Sequence, residues 1–484
     1  MNPFRNRKPI LEPTAFYGRA AELATIGQQL AAQPPQCCAV IGLPRSGKTS
    51  LLYHLQQQAH LSASQRQFRF GDKQQVLAVY VNAGPYSDLD GNHPEGALYF
   101  WRDLYRALAQ ELTASGVHPL PPDPGHSDLP VLEQLQTLWH TMADAIRNTT
   151  ADLVLLLIDN AEGIARLPRV TGSLLRTLAQ DPTLSERVAF VATSARPLHE
   201  FYEPNTWQAS SSFWNLFANT VYLGQLEPAA AQALMTRNAT TENAVRFSVQ
   251  EQTLLLRLAG RHPDLLTMAC ALLYDYHITT QPRTTINGPA VEQQLFDTAL
   301  PLCQAIWQAL GQISGAQPLV QRVVGSGLAV TSDPPPLLLT LARLGVLEQD
   351  GQRWRLFATV MQRFVQQSST LGALGVAPEL TSNSLLPAPE PLLMTPTNQV
   401  WGGAGPAFTH LEGALYAYLA AHAGVVCDRE SIKRALWTDE TPSDSALQKV
   451  IERIREKIEI DPKQPRRLLA VRGQGYILYP ESTA

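Results

Sequence analysis

Residues 42–49 read Gly-Leu-Pro-Arg-Ser-Gly-Lys-Thr and fit the pattern G-x-x-x-x-G-K-[ST]. These residue types suit one chemistry, the cradling of a polyphosphate. Gly42 and Gly47 let the backbone of Pro44, Arg45 and Ser46 curl so that its N–H groups face phosphate oxygens. Lys48 brings a point charge to the outer phosphates. The hydroxyl of Thr49 can ligate Mg²⁺, and the helix that opens through Ser50 aims its positive end at the anion. Such a loop needs an acid at the end of another buried strand. LVLLLIDNAE supplies it. Asp159 is expected to hold Mg²⁺ through water, and Glu162 or a neighbour to orient an attacking water. Asn160 stands where a second acid is usual, which argues for slow hydrolysis. Thr193-Ser194-Ala195-Arg196 ends a further apolar run. Polar residues at the carboxyl end of a parallel strand face the ligand crevice. Thr193 or Ser194 would then sense a γ-phosphate and Arg196 pair with it; a capped turn with a solvated arginine is the alternative.

These residues need a scaffold. Short apolar runs at 37–41, 76–82, 153–158 and 188–192 alternate with helical spacings at 49–59, 98–115 and 131–148. Continuous apolar strands between helices predict a parallel sheet covered on both faces. After about residue 225 the pattern turns helical, at 228–237, 249–259 and 263–276. It ends near residue 366 with a helix, a hairpin around Asp350-Gly351 and another helix, a winged-helix arrangement. The stretch 367–390 is rich in Ser, Pro, Gly and Leu and poor in charge, and reads as a linker. The expected domains are therefore 1–225, 226–366 and, past the linker, 391–484. A chain of 484 residues is long enough for two to four.

Composition narrows the class. The formal charge is −4, so any contact with nucleic acid must come from a local patch. Five scattered cysteines fit reduced thiols better than a disulfide framework. The opening residues carry no apolar signal core, and the longest apolar run, 153–158, is far short of a membrane span. The expectation is a cytoplasmic protein with no membrane contact.

Residues 408–479 predict helix, helix, long helix and hairpin. The long helix puts Leu447, Val450, Ile451, Ile454 and Ile458 on one face. Its other face carries Gln448, Lys449, Glu452, Arg453 and Arg455, with Lys457 near its end. A wing follows with Arg466, Arg467, Arg472, Gln474 and Tyr476. Such a helix and wing can reach a major groove and its flanking phosphates, which makes double-stranded DNA the expected partner. Eleven Lys or Arg against eleven Asp or Glu in 406–484 leave this domain neutral. Weak monomer binding rescued by oligomerisation would suit that balance.

Two family resemblances sit on these residues. Tyr17-Gly18-Arg19 with Glu22 resembles the GR–E box that precedes the P-loop in STAND ATPases and their AAA+ relatives. Gly260-Arg261-His262-Pro263 resembles the lid motif of that family. The resemblance spans about 14–365. It implies adenine held near Tyr17, Gly18 and Arg19, with the lid's proline region approaching the nucleotide. His262 is open between ligand contact and core or cap. The resemblance also implies an ATP/ADP switch with a nucleotide-dependent homo-oligomer and an unknown signal ligand or protein. The C-terminal stretch resembles the OmpR/PhoB-type winged helix through Thr409, Glu412, Arg429, Glu430, Leu436, Trp437, Arg453–Lys457, Asp461-Pro462 and Arg472–Tyr476. The fold class is thus multidomain α/β plus α+β: a P-loop parallel-sheet ATPase with a helical and winged-helix lid, then a C-terminal winged helix. A transcription regulator switched by ATP is the leading expectation. A DNA-associated ATPase with real turnover, or a scaffold whose winged helix binds protein, are the alternatives.

Overall fold

The computed structural model describes residues 2–5, 8–11, 15–87, 94–116, 120–121, 129–201, 213–237, 245–279, 288–373, 415–416, 419, 427–428, 432, 444–458, 468–471 and 475–478. The chain separates into two compact units, Met1–Thr381 and Ser382–Ala484.

In the first unit, five parallel strands form one sheet: β1 (Cys38–Gly42), β2 (Val76–Asn82), β3 (Leu153–Asp159), β4 (Val188–Ser194) and β5 (Asn219–Leu223). Their order is β2-β3-β4-β1-β5. The register brings Asn82 opposite Asp159, and Ile41 opposite Ser194. The strand ends that carry polar residues therefore sit level along one edge. Strands β1, β3 and β4 are buried along their whole length, as their apolar runs require. Each fully buried leucine of β3 contributes roughly 1.5–3 kcal/mol relative to exposure. Alternate residues feed two cores. Val40, Leu155, Leu157 and Val191 join α1 (Ala20–Ala31) and α2 (Lys48–His60). Ile41, Leu156, Ile158 and Phe190 join α3 (Pro94–Ala114), α4 (Val131–Asn148) and α5 (Arg169–Gln180).

That second core runs on without a break into the lid: α6 (Pro228–Thr236), α7 (Val249–Ala259) and α8 (Pro263–Thr279). A capping box starts α7: Ser248 Oγ accepts from Glu251 N, and Glu251 accepts from Ser248 N. Gly260 ends it at φ 61° and ψ −154°, a conformation open essentially to glycine. A Cβ there would lie 2.4 Å from the Phe357 carbonyl oxygen. Next come α9 (Gly288–Gly311), α10 (Ala316–Ser326), β6 (Leu328–Ala329), α11 (Pro336–Arg343), β7 (Leu347–Asp350), β8 (Arg353–Leu356) and α12 (Thr359–Ala373). The antiparallel order β6-β8-β7 has the layout of a winged helix, with the hairpin turning at Gly351. Helix α12 runs on to Ala373, into the stretch whose composition predicts a linker; 374–400 lie outside the described residues.

The sequence reading lacks β5 and α5. As an edge strand, β5 is only alternately buried, so it shows no continuous apolar run. The helical spacing of α5 is interrupted by Gly172, which packs against Phe213.

In the second unit, β9 (Cys427–Asp428), α13 (Asp444–Ile458), β10 (Leu468–Val471) and β11 (Gly475–Leu478) are described. The antiparallel order is β10-β11-β9. Leu447, Val450, Ile451 and Ile454 of α13 pack with Leu415, Leu419, Ile432, Leu468, Tyr476 and Leu478. Among the described residues no helix is long and apolar enough to cross a membrane.

Candidate nucleotide site and winged-helix surface

Strand β1 ends in a tight loop, and each of its constraints is visible. A Cβ on Gly42 would lie 2.4 Å from Ser46 Oγ, so the loop closes on its own first glycine. Arg45 and Gly47 have φ 62° and 100°, both left-handed. Ser46 N donates to Leu43 O at 3.1 Å. Helix α2 then opens at Lys48, and the first N–H groups of a helix have no partner within it. Lys48 is buried; its Nζ donates to the carbonyls of Gly42 at 2.8 Å and Leu43 at 3.1 Å. Burial holds this ammonium below the usual lysine range, while Glu162 and Asp159 act the other way. A bound polyanion would favour its charged form further.

Asp159 is held by three hydroxyls. Thr49 donates to its Oδ2 at 2.7 Å, Tyr80 to the same oxygen at 3.1 Å and Thr193 to Oδ1 at 2.5 Å. The topology explains Thr193: β4 lies between β1 and β3, so its end falls between the loop and the carboxylate. Tyr80 comes from β2, and burial raises its hydroxyl well above the usual tyrosine range, which keeps it a donor. Asn160 sits at φ 52°; its N–H donates to Thr193 Oγ1 at 3.0 Å, and its amide to Asn82 Oδ1 at 2.9 Å. Glu162 lines the cavity, and its buried Oε2 has no hydrogen-bond partner among the described residues.

The cavity over the loop has a volume of about 430 Å³. Pro44 to Ser50, Asn160 and Glu162 form one end. The other end is apolar, built from Pro9, Ile10, Phe16, Tyr17, Leu226, Leu234 and Pro263, with Lys8, Arg237, Asp264 and Thr267 around it. A polar end for phosphates and an apolar end for a flat ring is the division a nucleotide needs.

Other expected residues take different places. Ser194 is buried, accepts the Arg196 N–H at 3.3 Å and is not among the cavity lining. The Arg196 guanidinium lies over the Phe201 ring at 3.9 Å instead of facing the loop. Its stacking partner comes from the short helical turn that follows, so the alternative of a turn arginine describes it better. Gly18 is left-handed at φ 73°, and a Cβ there would lie 2.6 Å from the Ala230 Cβ. Arg19, also left-handed, is buried. It donates to the carbonyls of Ser46 at 3.0 Å and Gly224 at 2.8 Å and pairs with Glu22 at 2.8 Å. It therefore splints the phosphate loop to the end of β5. Gln225 extends the splint: its Oε1 accepts from Arg261 N at 2.9 Å, and its amide reaches Glu348 at 3.3 Å.

His262 joins lid to loop. Leu265 N donates to Nδ1 at 3.4 Å, so Nε2 carries the proton and donates to Pro44 O at 3.1 Å. Burial pushes this imidazole down to about 4, so it is neutral at pH 7. His262 thus takes the core or cap reading: it caps α8 and seats the lid on the loop, and it is not among the cavity lining.

On α13, Gln448, Lys449, Glu452 and Arg453 are exposed on one face, with Gln448 donating to Glu452 at 3.1 Å. Lys457 is half-buried. Arg455 is half-buried and donates to Leu468 O at 2.9 Å, tying helix to hairpin. Tyr476 is buried in the core, which removes its ring from a groove-facing surface. Arg466, Arg467, Arg472 and Gln474 lie outside the described residues, as do Thr409, Glu412, Arg429, Glu430, Leu436 and Trp437.

Residues that the sequence reading lacks are Phe16, Lys8 to Ile10, Tyr80, Leu226, Leu234, Arg237, Asp264 and Thr267. Phe16 had a signal, as the aromatic neighbour of Tyr17-Gly18-Arg19. Tyr80 stands two residues before the end of an apolar strand.

Two families match parts of the chain. Residues 15–191 match the AAA ATPase domain family, and 403–478 match the C-terminal domain of transcriptional regulatory proteins. The protein PetR of Rhodobacter capsulatus is 43% identical over 79 residues, which is 15% of this chain and 33% of PetR. The chain thus spans about a third of the length of that curated relative. The Walker-type ATPase PABY2304 of Pyrococcus abyssi shares the fold at a TM-score of 0.50 and 13% identity, over 75% of this chain and 99% of that one. The Orc1 protein of Aeropyrum pernix, solved with DNA, aligns at 17% identity and a TM-score of 0.35 over 76% of this chain and 98% of its own. This chain joins a P-loop ATPase domain of the AAA family to a C-terminal winged-helix DNA-binding domain of the OmpR/PhoB type.

Proposed function

We propose that the chain is a STAND-type switch: ATP or ADP in the cavity sets the lid, and the state of the lid governs how the C-terminal winged helix binds DNA and regulates transcription in the cytoplasm. The observation that carries this reading is the His262 contact. The lid rests on the phosphate loop itself, at the Pro44 carbonyl, so a change in the loop has a direct route into the lid. Arg19 and Gln225 offer a second route, from Ser46 to Glu348.

The donor set fits Mg²⁺. A hydroxyl and a carboxylate, Thr49 Oγ1 and Asp159 Oδ2, stand together at the phosphate end, and both are hard oxygen donors. These two residues would hold the ion, which would neutralise charge on the outer phosphates. Lys48 binds and orients the same phosphates, and Thr193 and Tyr80 keep the Asp159 carboxylate aimed. On the DNA side, Lys449 and Arg453 are the exposed cations of α13 suited to phosphate or base-edge contacts. A neutral domain gains most from several linked copies, which favours a nucleotide-dependent homo-oligomer.

The test is DNA affinity at fixed salt for three forms: wild type with an ATP analogue, wild type with ADP, and Lys48→Ala. The switch predicts at least a tenfold spread between the first and the other two. Equal affinity in all three would sink the coupling.

One observation favours a second reading, an ATPase with real turnover on DNA. Glu162 presents a buried, unpartnered carboxylate oxygen to the cavity, a position suited to holding a water despite Asn160. Hydrolysis strongly stimulated by DNA and lost in Glu162→Gln, with nucleotide affinity retained, would establish that reading.

A further inference from the structure

We propose that the N-terminal stretches 2–5 and 8–11 form a strap between lid and phosphate loop that sets the rate of nucleotide exchange. The inference rests on reading the cavity as the nucleotide site and lies outside the matched range 15–191.

One end of the strap is built into the lid. Asn2 Nδ2 donates to Ala271 O of α8 at 2.8 Å, and its Oδ1 accepts from Phe4 N at 2.9 Å, folding the first turn. Phe4 is 1% exposed. Its ring packs between Phe247 at 5.9 Å and Tyr274 at 6.2 Å, in the core of the lid. The Arg237 guanidinium lies over the same ring at 4.5 Å and donates to Pro3 O. Arg5 meets Asp275 at 3.0 Å, but this pair is exposed and adds little.

The other end is fixed to the phosphate-loop helix. Ile10 N donates to Ser50 Oγ at 3.0 Å, one residue past Thr49. Leu11 O accepts from Gln57 Nε2 one turn or two further along α2. Between the two ends, Lys8, Pro9 and Ile10 form part of the cavity wall. A single run of chain thus touches the lid, the ligand space and α2.

The two ends are unequal. The lid end is an apolar plug, which water does not compete for. The α2 end is two hydrogen bonds beside an exposed Leu11, and water replaces such bonds readily. The strap therefore opens at Ser50 and Gln57 and stays on the lid. Arg237 links strap to ligand, because it lines the cavity while holding Pro3 and Phe4. Among the described residues its buried Nε has no hydrogen-bond partner.

The experiment loads the full chain with a fluorescent ADP and chases it with excess unlabelled ADP in a stopped-flow instrument. Wild type, Phe4→Ala and Gln57→Ala are compared; the second removes the amide that reaches Leu11 O and lies outside the cavity lining. A gate speeds entry and exit together. Release should quicken tenfold or more in Phe4→Ala and threefold or more in Gln57→Ala. Association should rise in parallel, leaving Kd within about threefold. Release within twofold of wild type in both variants would overturn the proposal. So would faster release with unchanged association, which would make the strap a plain binding wall. If Phe4→Ala loses its cooperative melt, Gln57→Ala decides alone, since its side chain is outside the core. If wild type fails to bind the probe, the nucleotide reading falls and the strap with it. Binding lost only in Lys48→Ala keeps that reading and leaves the strap to be judged by the rates.

Discussion

The two ends of the cavity were assembled in different ways. The phosphate end is mostly one run of chain, 44–50, joined by residues just past β3 and β4 (Asn160, Glu162 and Ala195). The ring end draws single side chains from at least four separate segments, around residues 8–10, 16–19, 226–237 and 263–267. Backbone N–H groups and one lysine suffice for phosphates, so a local motif can encode them. An apolar slot for a ring needs only shape and hydrophobicity, and any element that reaches it can supply those. Phosphate affinity should therefore fail at single residues, whereas ring affinity should erode gradually.

The largest expected effect is at Lys48. Lys48→Ala removes a charge-assisted contact worth about 3 kcal/mol, so ATP and ADP affinity should fall roughly a hundredfold by calorimetry. The ligand-free chain should melt no lower, because the variant also removes a buried ammonium. A loss under tenfold would mean the phosphate end is as distributed as the ring end.

His262 joins the lid to the phosphate loop and gives a pH signature. Its value is about 4 in the folded chain against 6.5 for an ordinary histidine. Folding thus disfavours its protonated form, and the stability it contributes is full above pH 6.5 and declines as pH falls towards 4. Between pH 7 and pH 5 the loss should be about 2 kcal/mol. Thermal midpoints of wild type and His262→Gln should differ in pH slope across that window; parallel slopes would remove the imidazole from the account.

Leu234→Ala at the ring end should weaken adenine nucleotide binding three- to tenfold, corresponding to about 1 kcal/mol of lost apolar contact. A hundredfold loss would erase the contrast between the ends. The smallest effect is expected at Arg196, whose guanidinium rests on Phe201. Arg196→Ala should leave ATP affinity within twofold, and a larger loss would mean that the side chain swings to the phosphates when nucleotide binds.

The same contrast decides what was legible in the sequence. The loop, Asp159 and Thr193 were legible because each ends a fully buried strand, and such a strand writes itself as an unbroken apolar run. Strand β5 was not, since a half-exposed edge has no such run. The ring end was mostly invisible, because Leu234 or Thr267 on a lid helix has the same local signature whether it faces a ligand or a core. Arg19 was legible as a residue but not in its task. A positive charge near a phosphate loop suggests a ligand contact, whereas its hydrogen bonds go to backbone carbonyls. In the second unit the apolar face of α13 was plain from spacing, but Arg455 and Tyr476 were not. Neither composition nor period tells an arginine that ties a hairpin from one that reaches a groove.

Gly260 and His262 stand two residues apart. Gly260 lies against the Phe357 carbonyl with no room for a methyl group, and His262 lies on the phosphate loop. A turn this short, flanked by helices on both sides, has no slack to absorb a displacement. The contact to the phosphate loop and the contact to the strand end beyond the Gly351 hairpin therefore share one stiff turn, and a side chain at 260 would disturb both.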